Sequence, residues 1–177
     1  MNTPPNLGMQ VTTFENPMGI DGFEFVEFAA PAGQAHLLHD YFKTLGFSQV
    51  ARHKTRAIST YRQGDCTFLI NEDPDSFAAR FAAEHGPSAC GFAIRVKKLA
   101  EWARVQALKN GAESFDDADE LTKAVAAPVI KGIGDCMLYI VDRYDDQGTI
   151  HDPDYEWLPG VDKMPKGFGL TFIDHLT

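Results

Sequence analysis

The spacing of apolar and polar positions changes several times along the chain, and each change marks an element. From Gly22, "GFEFVEFAA" alternates through Phe23 and Phe25, which predicts a strand. "QAHLLHDYFKTLGF" switches to helical spacing, with Leu37, Leu38, Tyr41, Phe42 and Leu45 on one side and Gly46 as the C-terminal cap. "SQVARH", "AISTYRQG" and "CTFLINE" follow as three strands, the last two joined by a turn at Gln63-Gly64-Asp65. A short Ala-rich helix, "DSFAARFAAEHGPS", ends at Gly86-Pro87. The order then begins again. "GFAIRV" is a strand, "KKLAEWARVQALKNG" a helix with Leu99, Trp102, Ala103 and Leu108 on one side and Gly111 closing it, and "AESFDD", "LTKAVAAPVIKG" and "DCMLYIVDRY" are three further strands.

The repetition extends to letters. "GFEFVEFAA" from Gly22 resembles "GFAIRVKKL" from Gly91, and "GDCTFLI" from Gly64 matches "GDCMLYI" from Gly134 almost letter for letter. The offsets, 69 and 70 residues, nearly agree, the mark of an internal duplication. The expected fold is α+β: two βαβββ modules, about 19–75 and 88–143, forming one open, barrel-like mixed sheet with helices outside. Residues 1–18, with Pro4-Pro5, read as a loose arm. Residues 144–168 are rich in Pro, Gly and Asp without sustained periodicity and read as a linker, tacked to a surface by Tyr155, Trp157 and Leu158. Residues 169–177, "GLTFIDHLT", read as the first strand of a further domain.

Composition narrows the function classes. Asp plus Glu number 25 against 16 Lys plus Arg, a net charge of −9. An acidic surface repels phosphates, and the densest basic run is only "RHKTR", so nucleic acid is not an expected partner. No apolar stretch approaches the length that spans a bilayer, and the N-terminus has neither the basic nor the apolar region of a signal peptide. Cys66, Cys90 and Cys136 are odd in number and sit in or beside apolar runs, which suits buried free thiols of a reducing compartment, the cytoplasm.

Candidate chemistry is sparse. Cys66 and Cys136 hold equivalent places in the two copies, which packing explains and nucleophilic catalysis does not. "KGIG" and "KGFGL" lack the strand-to-helix setting of a phosphate loop. His151, with Asp152 and Asp154, has metal-like density but reads as a solvated turn. His85 belongs to a helix C-terminus, where the helix dipole favours it, and His53 to a basic turn; His36 and His39 fall on the polar, exposed side of the first helix. His175 stands beside Asp174 near the last residue. If 169–177 is a strand, the two side chains point to opposite faces, so Asp174 is a neighbour rather than an orienting partner.

Several motifs in order carry a family likeness: "ENPMGIDGFEFVEFAAP", "YRQGDCTFLINEDP", "FAAEHGPSACGFAIRV", "PVIKGIGDCMLYIVDRY" and "FIDHLT". Together they resemble the N-terminal half of the bacterial 4-hydroxyphenylpyruvate dioxygenase family, in the vicinal-oxygen-chelate superfamily, over nearly all of Glu15–Thr177. The resemblance implies a C-terminal catalytic domain that binds Fe(II) through two histidines and a glutamate, with His175 matching the first ligand. The other two ligands, and most substrate contacts, match nothing in this chain. It further implies 4-hydroxyphenylpyruvate and O2 as substrates of the whole enzyme, a homo-oligomer, and no Fe(II) bound to these residues alone. At the positions where such modules carry ligands, this chain offers Gly22 or Phe25, Gly91, Leu69 and Tyr139, with Glu24 or Glu27 a one-residue slip away. Two alternatives stand beside this reading: a non-catalytic small-molecule-binding module, and a glyoxalase-like metalloenzyme completed across a dimer.

Overall fold

The computed structural model describes residues 15–115, 123–145, 149 and 151–176. Most of the expected N-terminal arm, parts of "AESFDD", "LTKAVAAPVIKG" and the linker, and Thr177 lie outside the described residues. The elements are β1 (Ile20–Ala29), α1 (Ala35–Thr44), β2 (Ser48–His53), β3 (Ile58–Gln63), β4 (Cys66–Asn71), α2 (Phe77–His85), β5 (Ser88–Val96), α3 (Ala100–Lys109), β6 (Val129–Lys131), β7 (Met137–Val141) and β8 (Tyr155–Trp157). The strands form one sheet in the order β6-β7-β5-β1-β4-β3-β2-β8.

The duplication is visible in the pairing. Each module's opening strand lies parallel to its last strand, β1 beside β4 and β5 beside β7. The two opening strands run antiparallel to each other, Val26 facing Phe92 and Glu27 facing Gly91. Alternation sends Phe25, Leu69, Ala93 and Tyr139 to the inner face, where Ala124, Val125 and Tyr155 close over them. The opposite face takes the helices. Phe42 of α1 packs with Phe47, Tyr61 and Ile70, and Ala100, Ala103 and Ala107 of α3 with Val96 and Ile140. Gly46, at φ +87°, lets the chain reverse after α1, so that the Phe47 N–H reaches the Phe42 carbonyl at 3.0 Å. Asp142, just after β7, accepts from the Ala100 N–H at 2.8 Å and ties the start of α3 to its module.

Three expectations need correction. In the second module, "LTKAVAAPVIKG" keeps only Val129–Lys131 as strand, and Ser114 makes a single bridge to Ile130 instead of a strand. The residues before β6 turn inward: the backbone N–H of Ala124 donates to the Tyr139 hydroxyl at 3.1 Å and its carbonyl accepts from the Tyr155 hydroxyl at 2.8 Å. Those bonds replace a ladder. The linker, for its part, contributes β8, an edge strand antiparallel to β2. The strand expected over 169–177 would find its partners in a further domain; among the described residues 170–176 pairs with no strand and lies partly along the Gln63–Asp65 turn. Finally, α1 turns Leu37 and Tyr41 outward and buries Ala35 and Phe42, while α3 begins after an exposed Leu99 and packs through Ala100, Ala103 and Ala107.

Candidate functional site in the inner face and at His175

The register brings Glu27, Leu69, Gly91 and Met137 into one row across the sheet, with Tyr139 two residues along β7. Glu27 is 1% exposed. Its Oε1 accepts from Asn71 Nδ2 and its Oε2 from the Tyr139 hydroxyl, both at 2.7 Å. Gly91 is small because a Cβ there would stand 3.1 Å from Glu27 Oε2 and from the Tyr139 ring. Burial pushes the Glu27 carboxyl above its ordinary value, with the Asn71 and Tyr139 hydrogen bonds opposing. The result is a polar network whose donors and acceptors satisfy one another. The family likeness points to Leu69, Gly91 and Tyr139, with Gly22 or Phe25 and Glu24 or Glu27 as the first-copy alternatives, and the register gathers Glu27, Leu69, Gly91 and Tyr139. It adds Asn71, a strand-end amide that no pattern distinguishes.

Charged clusters stand at both ends of the sheet. At one, Arg95 Nε donates to Glu24 at 2.6 Å, its two terminal nitrogens hold Asp65 at 2.8 and 3.0 Å, and Tyr144 lies over the guanidinium. Burial raises the Glu24 carboxyl, and the Arg95 charge pulls against it. At the other end Arg56 binds Asp73 and the Lys123 carbonyl. Among the described residues no group of three or more His, Cys, Asp or Glu is placed to hold a metal ion. The three cysteines are free and buried, and burial raises each thiol's pKa.

The histidines divide sharply. His151 is not in a solvated turn. It is 4% exposed, wedged between the Phe25 and Tyr155 rings, and neither ring nitrogen has a hydrogen-bond partner among the described residues. Burial, helped by the Arg62 charge, lowers its pKa to about 4. Asp152 caps the outside of that turn by accepting from the Thr149 N–H, so only the histidine points in. His39, expected to be exposed, bridges the Tyr61 hydroxyl at 2.8 Å and Glu72 at 2.9 Å. His36 is exposed, His53 accepts from the N–H groups of Thr55 and Arg56 at 3.2 Å, and His85 lies in the last turn of α2. His175 is largely exposed, its Nδ1 2.8 Å from Asp174 Oδ2. The contact puts the Asp174 and His175 side chains on one side, where a pleated strand would have set them on opposite faces.

This paired-module sheet, with an acidic network at its centre, is matched by the model of the family described as hydroxyphenylpyruvate dioxygenase, N-terminal, over residues 14–156. The chain belongs to this family. It is 44% identical over 164 residues to the 4-hydroxyphenylpyruvate dioxygenase of Pseudomonas sp. (strain P.J. 874), covering 93% of this chain and 45% of that protein. Over 166 residues it is 40% identical to the 4-hydroxyphenylpyruvate dioxygenase of Pseudomonas aeruginosa, covering 92% and 45%. The chain thus spans about half the length of these curated relatives. Among solved structures it is similar to a xylose isomerase-like TIM barrel/4-hydroxyphenylpyruvate dioxygenase fusion protein. The TM-score is 0.68 at 30% identity, over 80% of this chain and 22% of that one.

Proposed function

We propose that the chain is the N-terminal domain of a non-haem Fe(II) 4-hydroxyphenylpyruvate dioxygenase, and that it is catalytically incomplete by itself. Such a protein converts 4-hydroxyphenylpyruvate and O2 to homogentisate and CO2, in tyrosine and phenylalanine catabolism. The 44% identity over 164 residues to a protein of that name carries the reading. The inner face supports it. Where a catalytic module would present ligands, this one has Glu27 already saturated by Asn71 and Tyr139, with Leu69 and Gly91 beside it. The domain then serves as a scaffold and docking partner for a C-terminal catalytic domain in a cytoplasmic homo-oligomer.

The residues present fit one third of an iron site. His175 would be one of three protein ligands, the other two lying in the catalytic domain. Asp174 occupies its Nδ1, which leaves Nε2 for the metal, the usual arrangement in which a ligating histidine gives its second N–H to a carboxylate. Bound Fe(II) would supply redox chemistry with O2 and a Lewis acid for the 2-oxo acid. This chain contributes the imidazole, held in one tautomer by Asp174, and the path that brings it there.

Comparing the 177-residue chain with the same chain continued into its catalytic domain tests the reading. Iron at one per chain, and O2 uptake with 4-hydroxyphenylpyruvate, are expected only in the longer protein and are expected to fall together on His175→Ala. Stoichiometric iron with turnover in the short chain would refute it. A second reading, a module without chemistry of its own attached to a different enzyme, is favoured by the fusion architecture of the solved relative. It predicts an iron-free longer protein.

A further inference from the structure

Beyond β8 the chain is gripped by one turn. Gln63, the last residue of β3, has no exposed surface. Its Nε2 donates to the Leu45 carbonyl at 2.9 Å, and its Oε1 accepts from the N–H groups of Phe168 at 2.5 Å and Leu170 at 3.3 Å. Backbone bonds flank it: the Gly64 N–H donates to the Pro165 carbonyl at 2.8 Å and the Asp65 N–H to that of Thr171 at 3.1 Å. The approach is too close for side chains. A Cβ on Gly46 would stand 2.8 Å from the Phe168 ring, one on Gly167 2.5 Å from Gln63 Cδ, and one on Gly64 would collide with the Leu170 carbonyl oxygen. Ile173 then packs against the cluster around Phe42, two residues before His175.

The duplication supplies its own control. In the second copy Ile133 precedes Gly134-Asp135-Cys136 as Gln63 precedes Gly64-Asp65-Cys66, and it is 89% exposed. Gly111 follows α3 as Gly46 follows α1. Among the described residues, a Cβ at Gly111 or Gly134 would meet nothing within 4 Å. Only the first copy carries the amide, and only there is the space around both glycines filled. A buried primary amide costs free energy unless both its donor and its acceptor are used, and here the departing chain supplies the acceptor's partners.

We propose that Gln63, with Gly46, Gly64 and Gly167, fixes the path and direction by which the chain leaves this domain and so presents Asp174-His175. Gln63 is then a positioning residue for the first iron ligand, an assignment that rests on the reading of His175 above. The test uses the 177-residue chain, amide exchange and backbone relaxation by NMR. Two variants are compared with the parent: Gln63→Met, which keeps the shape without the amide, and Gly167→Ala, which disturbs the contact from the tail without changing any residue of the sheet. Exchange at Phe168, Leu170 and Asp65 is expected to quicken by on the order of tenfold or more. Asp174 and His175 are expected to gain mobility while β1 and β5 keep their protection. Equal exchange at Phe168 in parent and Gly167→Ala, or a loosened Phe168 with unchanged order at His175, would overturn the proposal. Failure of the dioxygenase reading would leave these exchange results intact and appear instead as a longer protein without iron.

Discussion

Glu27 and His151 are both buried in the inner face, and they bind protons in opposite senses on folding. Burial raises the Glu27 carboxyl, so the folded state keeps that proton to higher pH than the unfolded chain. Its contribution to stability is full below the ordinary value of 4.5 and is lost as pH rises through the raised one. Glu27→Gln is expected to abolish that decline as pH rises above 4.5 in urea titrations. Glu27→Ala strands the Asn71 amide and the Tyr139 hydroxyl beside a cavity and is expected to cost roughly 3 kcal/mol or more. His151 runs the other way. With its pKa lowered from 6.5 to about 4, its contribution is full above pH 6.5 and disappears on acidification toward pH 4, amounting to roughly 3 kcal/mol. His151→Phe, which keeps the ring contacts to Phe25 and Tyr155, is expected to flatten thermal stability across that window. An unchanged acid slope in the variant would mean that the group titrating there lies elsewhere.

β8 shows what one short strand does for the element beside it. The bonds Lys54 N–H to Asp154 carbonyl and Leu158 N–H to Val50 carbonyl make Arg52 and Glu156 the bonded pair between them, by the alternation of antiparallel ladders. Glu156→Pro removes that donor and is expected to free β8, exposing the edge of β2 to pairing with other chains. Light scattering that rises with protein concentration in the variant, and not in the parent, is the check. β8 also marks where sequence patterns lose their hold. In the first module, alternation places β2 at its observed bounds and β3 and β4 within a residue, since each strand there has a long partner and a buried face. Three residues of β8 are too few for a period, and the strand is specified by Tyr155 reaching Ala124. The stretch before β6 is apolar enough to read as strand, yet tyrosine hydroxyls from β7 and β8 satisfy Ala124 and hold it as a plug. His151 escaped notice for the same reason: flanking aspartates make it look wet, and only the tertiary position of Phe25 makes it dry. The central network was half legible, because the family likeness points to Gly91, Leu69 and Tyr139 and to Glu24 or Glu27 but gives no register, and the register is what brings Asn71 to Glu27.

At the scale of the whole molecule, charge and apolar exposure oppose each other. The net charge of −9 repels like copies. Against it stand large apolar side chains that neither sheet face nor helix covers: Leu37 at 54% and Tyr41 at 59% exposure on α1, Phe168 at 80% and Phe172 at 65% on the departing chain. Phe168 lies against Gly46, immediately after Leu45, so the departing chain passes the end of α1. Clustered apolar surface of this kind drives association, whereas scattered residues do not. The repulsion reaches about 30 Å at 0.01 M salt and only about 3 Å at 1 M, while apolar attraction strengthens slightly with salt. Association of the isolated chain is therefore expected to increase as ionic strength rises, the reverse of a salt-bridged interface. Sedimentation at 0.01 and 0.5 M salt reads this directly. The paired substitution Tyr41→Glu with Phe172→Asp is expected to hold the chain at its monomer mass of 19.6 kDa in both. Dissociation at high salt would place the contact on charged residues instead, and would remove the α1 face and the departing chain as the surface through which copies meet.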